Sequence, residues 1–141
     1  MTLSNRIALF KEISRTRILI LDGAMGTALQ ARKLEEADYR GSQFKDHSQD
    51  LKGNADILNL TAPQILEEIH REYLEAGADI IETNTFNSTR ISQSEYGTEA
   101  HAYDISRRGA EIARKACDEM EAKNPSKPCF VAGSMGPLNK T

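Results

Sequence analysis

The chain has 141 residues, enough for one small domain with its own core. Apolar residues make up 39% and charged residues 28%, a globular balance, and the net charge of −3 offers no basic stripe to nucleic acid or to an anionic membrane surface. No apolar run approaches the roughly 20 residues of a membrane span, residues 1–15 lack the unbroken apolar stretch of a signal peptide, and two cysteines form no disulfide framework, so a reduced, cytoplasmic setting is expected.

Ile7, Phe10 and Ile13 are spaced along one face of a helix over Ser4–Ile13, with Ser4 as its cap. Arg17–Leu21 then reads as a short buried strand, and Asp22-Gly-Ala-Met-Gly-Thr27 as a glycine-punctuated turn into a short helix from Thr27 to Arg32. Lys33–Asn54 is a long polar loop. Asp56–Leu60 is a second strand candidate, followed by a helix start with Thr61 as cap, Pro63 in the first turn and Gln64 placed for a capping box. Ile65, Leu66, Ile69, Tyr73 and Leu74 form that helix's apolar face, and Gly77 is its stop. Asp79–Thr83 is a third strand, and Asn84–Gly97 a polar loop with helical turns near Ile91–Tyr96. A long helix runs from Ala100 to Ala122, with Ile105, Ile112, Ala116 and Met120 along one side; two prolines then break the chain before a fourth strand, Cys129–Ala132.

Strands alternating with helices imply an α/β fold with a parallel sheet, either open and doubly wound or closed into a barrel. The sequence stops a few residues after the fourth strand candidate with no helix behind it, which reads as a fragment: four βα units are half of an eightfold barrel. The whole of 1–141 is expected to be one partial domain.

In βα proteins ligands bind at the carboxyl ends of the strands. Here those ends are polar and glycine-rich: Asp22–Thr27, Asn59–Thr61, Glu82–Thr85 and Gly133–Gly136. Asp22 is a candidate acceptor for the ammonium of an amino acid, and Gly23 lets backbone approach a ligand; the same pair also reads as a plain turn. Glu82 and Thr83 are either site residues or parts of a structural hydrogen-bond network. Gly23–Gly26 resembles an anion cradle but fits neither the dinucleotide nor the P-loop pattern. Cys117 and Cys129 lack the company of a zinc site, so both are expected in packing roles. His47, His70 and His101 do not pair at i, i+4 and are expected to be surface or structural residues.

Several segments together resemble the homocysteine S-methyltransferase family. They are Leu19–Thr27 (Leu-Ile-Leu-Asp-Gly-Ala-Met-Gly-Thr), Ala76–Thr89 (Ala-Gly-Ala-Asp-Ile-Ile-Glu-Thr-Asn-Thr-Phe-Asn-Ser-Thr) and Val131–Thr141. Ala37-Asp-Tyr-Arg-Gly41 and Asp50-Leu-Lys-Gly-Asn54 are similar to the long loop of the cobalamin-dependent methionine synthases within that family. The resemblance implies the N-terminal, homocysteine-binding (β/α)8 barrel of such an enzyme, cut short. It further implies methyl transfer from methylcobalamin, itself remethylated by methyltetrahydrofolate, to a zinc-activated homocysteine thiol. Homocysteine and the folate, cobalamin and activation domains of a longer parent are then the expected partners. Asp22 matches the family aspartate that holds the homocysteine amino group, Gly23 matches the adjacent backbone contact, and Glu82 and Thr83 match positions at the mouth of the third strand. The family's zinc cysteines come from later strands, so they are expected beyond Thr141, with no catalytic or metal residue inside the chain and no stable cofactor binding by it alone. Two alternatives stand beside this: a cobalamin-independent homocysteine methyltransferase, and a non-catalytic half-barrel.

Overall fold

The structure is a computed structural model that describes residues 2–138. Helix α1, Leu3–Thr16, opens the chain. Its cap is Thr2, whose hydroxyl accepts the Asn5 N–H at 3.3 Å, so Ser4 lies inside the first turn rather than at the cap. Helices α2 (Met25–Ala31) and α3 (Glu36–Arg40) follow, and α3 occupies part of the stretch expected to be loop.

Asp56–Leu60, expected as a strand, is helical: a 3₁₀ turn over Ala55–Ile57 runs directly into α4, Leu58–Thr61. Asp56, Ile57, Leu58 and Asn59 are all buried, and a short run buried on every side carries no period that separates helix from strand. Thr61 consequently ends α4 instead of capping the next helix, and its hydroxyl bonds back to the Ile57 carbonyl. Helix α5, Pro63–Ala76, starts with proline in its first turn and has no side-chain cap, so Gln64 forms no capping box with Thr61. It stops at Gly77, whose φ of 118° is in the left-handed region that glycine enters without strain.

Strand β1, Ile80–Glu82, pairs in parallel with β2, Phe130–Ala132, in the register Ile80–Phe130, Ile81–Val131 and Glu82–Ala132. Residues 17–21 run beside β1 but contribute only a parallel bridge, Leu21 to Ile80. The reason lies in Asp79. Its carboxylate accepts the Ile20 N–H at 2.9 Å and holds both Arg17 guanidinium nitrogens at 2.8 Å, so a side chain does part of the work of a ladder. The four expected strands are thus two, with a third extended segment laid alongside. Between β1 and β2 lie a short helix α6 (Arg90–Gln93), two 3₁₀ turns, and the long helix α7, Ala102–Lys123.

The core lies between the sheet and the pair α5 and α7. Ile81 and Cys129 meet Leu74, Ala113, Ala116 and Cys117, while Leu29, Leu58, Leu66, Ile69 and Ile112 join α2, α4, α5 and α7. A third cluster, Phe44, Leu51, Ile57 and Ile105, pins the 41–54 segment. Each fully buried aliphatic side chain contributes roughly 1.5–3 kcal/mol, so these clusters hold the strands' carboxyl ends in place. On the sheet's other face α1 rests its Phe10 ring edge-on against Phe130, with centroids 5.2 Å apart. Arg6 ties α1 to Glu121 at 2.7 and 2.9 Å, and that ion pair holds the Glu121 carboxyl down at about 2. Among the described residues no helix is long and apolar enough to cross a membrane.

Candidate functional site

Parallel pairing puts Asp22, Glu82 and Ser134 at one pole of the sheet. The segments that leave the strands there are polar and turn away sharply. Ala24 stands in the left-handed region at φ 43° just before α2, a strained position for a residue with a Cβ. Together with the 55–59 helical segment they enclose a cleft of about 300 Å³, walled by Met25, Asp56, Glu82, Thr83, Phe86 and Ser134.

Asp22 stands beside this cleft. Its N–H donates to the Ile80 carbonyl at 2.9 Å, and its Oδ1 accepts the Glu82 N–H at 3.0 Å. Burial pushes its carboxyl up to about 6; the Glu82 N–H opposes the rise, and the Glu82 carboxylate adds to it. Gly23 is exposed, with nothing within 4 Å of where a Cβ would stand. Glu82 is half-buried and lines the cleft. Thr83 is fully engaged: its Oγ1 accepts the Ser134 N–H at 3.0 Å and lies 2.6 Å from Thr85 Oγ1, which donates to the Ser134 carbonyl. The structure therefore brings Asp22, Glu82 and Thr83 together at one rim, with Gly23 open beside them.

Sequence reasoning missed Asp56. The apolar pattern makes it the start of a strand, yet it is 2% exposed in the cleft wall and bonds the loop after β1. Its Oδ2 accepts the Asn87 N–H at 2.6 Å and the Ser88 hydroxyl at 3.0 Å. Burial drives its carboxyl up to about 6 against those two bonds. Asn84 adds to the same seam, donating to the Ala55 carbonyl while its own carbonyl accepts from Asn59 at 2.7 Å. An acidic residue opening an apolar run carries no sequence signal of such a partner 31 positions away.

Among the described residues no three His, Cys, Asp or Glu side chains converge as a metal ion needs. Cys117 and Cys129 are wholly buried in the core beneath the sheet. Cys117, hydrogen-bonded to the Cys129 thiol and desolvated, has its thiol pKa pushed up, the opposite of a metal-ready thiolate. The described residues do not fit the zinc that the family resemblance implies.

Residues 19–141 match the homocysteine S-methyltransferase family, and the chain belongs to that family. Its fold is similar to that of the homocysteine methyltransferase MmuM from Escherichia coli. In the metallated form the TM-score is 0.70 at 29% identity over 89% of this chain and 40% of that one. In the oxidized form the TM-score is 0.66 at 32% identity over 85% and 37%. The chain thus spans about 40% of the length of the enzyme it matches in the metallated form.

Proposed function

We propose that this chain is the N-terminal part of the homocysteine-binding domain of a methyltransferase that acts on the homocysteine thiol. Within that class it belongs to a cobalamin-dependent methionine synthase. The single observation that carries the reading is that two parallel strand ends and the extended segment bridged to them bring Asp22, Glu82 and Ser134 to one polar rim, in a chain of this family. The narrower assignment is supported by the Ala37–Gly41 and Asp50–Asn54 segments. In this reading residues 1–141 form one partial domain of a (β/α)8 barrel, and folate, cobalamin and activation domains complete the enzyme.

The roles we assign follow from the chemistry of each group. Asp22, when charged, accepts the substrate ammonium in a charge-assisted hydrogen bond. The open space at Gly23 admits the substrate carboxylate to its N–H. Glu82 supplies negative charge at the same rim, and Thr83 fixes the strand end on which Glu82 sits. Zinc and cobalamin belong to parts of the enzyme outside the described residues, with the zinc cysteines beyond Thr141. Zinc, when bound there, lowers the pKa of the homocysteine thiol.

Replacing Asp22 by Ala in the full-length protein tests this directly. Homocysteine affinity, read by calorimetry, is expected to fall by roughly tenfold or more while zinc content stays unchanged. Unchanged affinity refutes the role. The pH dependence has a definite sign: the Asp22 carboxyl sits near 6, so homocysteine binding weakens as pH falls through 6 and this slope disappears in Asp22→Ala.

A further inference from the structure

The loop after β1, residues 84–89, forms one side of the cleft by presenting Phe86 and Asn87 to it. Besides the bonds of Asn84 and Thr85 described above, three seams hold this loop. On one side the Gly136 N–H donates to the Phe86 carbonyl at 2.9 Å, and a Cβ on Gly136 would fall 2.6 Å from the Phe86 ring. At its far end the buried Gln93 side chain donates to the Asn87 carbonyl at 3.0 Å and exchanges hydrogen bonds with Asn54. The third seam is Asp56, and it differs in kind. It is the one carboxylate in these three seams, it is almost wholly buried, and it bonds two consecutive loop residues through one oxygen. An acceptor oxygen at this place satisfies two donors of the loop, and its loss leaves both unpaired.

We propose that Asp56 is a positioning residue of the cleft. Its carboxylate sets where the Phe86–Asn87 wall stands, and thereby how tightly the substrate is held, without touching the substrate itself. The proposal rests on the reading of this rim as the homocysteine site only for the identity of the ligand; the fixing of the loop stands apart from it.

The test uses the full-length protein with two variants at one position. Asp56→Asn keeps an acceptor oxygen of the same reach, whereas Asp56→Ala removes it. Hydrogen exchange of the 84–89 amides is expected to rise at least tenfold in Asp56→Ala and to return to within about twofold of wild type in Asp56→Asn, with α5 and α7 unaltered. In steady-state kinetics the KM for homocysteine rises by roughly tenfold in Asp56→Ala with kcat within about twofold, and Asp56→Asn restores it. Should Asp56→Ala not fold, Ser88→Ala removes one of the two bonds, and a smaller rise confined to the same amides and to KM is expected. Unchanged exchange at 84–89 in both alanine variants overturns the proposal whatever the substrate is. An Asp56→Asn enzyme as impaired as Asp56→Ala overturns it too, because the charge and not the geometry is then what matters. A wild-type protein that binds no homocysteine while its loop behaves as described refutes the substrate reading and leaves the positioning role supported.

Discussion

His70 lies in α5 wholly buried, with neither ring nitrogen hydrogen-bonded among the described residues. Burial alone drives its pKa down to about 4. Between pH 4 and 6.5 the unfolded chain therefore binds a proton that the folded chain does not, so stability is lost as pH falls through that window. Replacing His70 by Leu is expected to flatten this part of the stability curve, checked by thermal melts of wild type and variant from pH 4.5 to 7. Asp22 and Asp56 have the opposite sign. Their carboxyls are raised, so the cost of burying charge is absent below the unfolded value and fully present above 6. Both belong to the candidate site, the kind of place where raised carboxyls gather. The position of Asp22 at the end of an extended segment was legible in the sequence, because a glycine turn follows it directly. Asp56 was not, because its partners, Asn87 and Ser88, are remote in sequence and visible only once the chain has folded.

Helices showed themselves in the sequence where they are long and one-sided. In α5 the buried Leu66, Ile69 and Leu74 keep the helical period, and in α7 Ile105, Ile112 and Ala116 do the same. The register between α7 and the rim depends on one residue the pattern does not reveal. A Cβ on Gly109 would stand 2.7 Å from Thr85 Cγ2 and 2.8 Å from Asn59 Nδ2, so the helix is pressed against the two segments that frame the cleft. Gly109→Ala gains up to ~1 kcal/mol of helix propensity but overpacks this contact at a cost of about 1–3 kcal/mol. A net loss of stability and weaker homocysteine binding are expected, measured by denaturant unfolding and calorimetry. The clamp of Arg17 on Asp79 holds the first extended segment to β1 at the opposite pole. Asp79→Ala is expected to lower the Tm by releasing that segment, with Ile20 and its neighbours gaining hydrogen exchange.

At the scale of the molecule the sheet is covered by helices on one face and lightly on the other. Ile18 is 83% exposed, Ile20 53% and Leu21 49%, along a segment whose outer edge has no strand beside it among the described residues. Such an edge favours association. Purified 1–141 is expected to self-associate in sedimentation, less so with Ile18→Lys, and to carry no stoichiometric zinc after gel filtration. A zinc-loaded 1–141 would contradict the absence of a donor set among its described residues. The sequence by itself determined the α/β alternation, the three long helices α1, α5 and α7, the glycine stop at Gly77, the packing roles of the cysteines and the family. Each of these is written in local periodicity or in the order of short motifs. Only the tertiary structure decided that Asp56–Leu60 is a helix, that Leu21 joins the sheet through one bridge, and that Asp56 holds the loop beside Glu82. Those outcomes depend on burial from all sides and on partners tens of residues apart, and a linear pattern encodes neither.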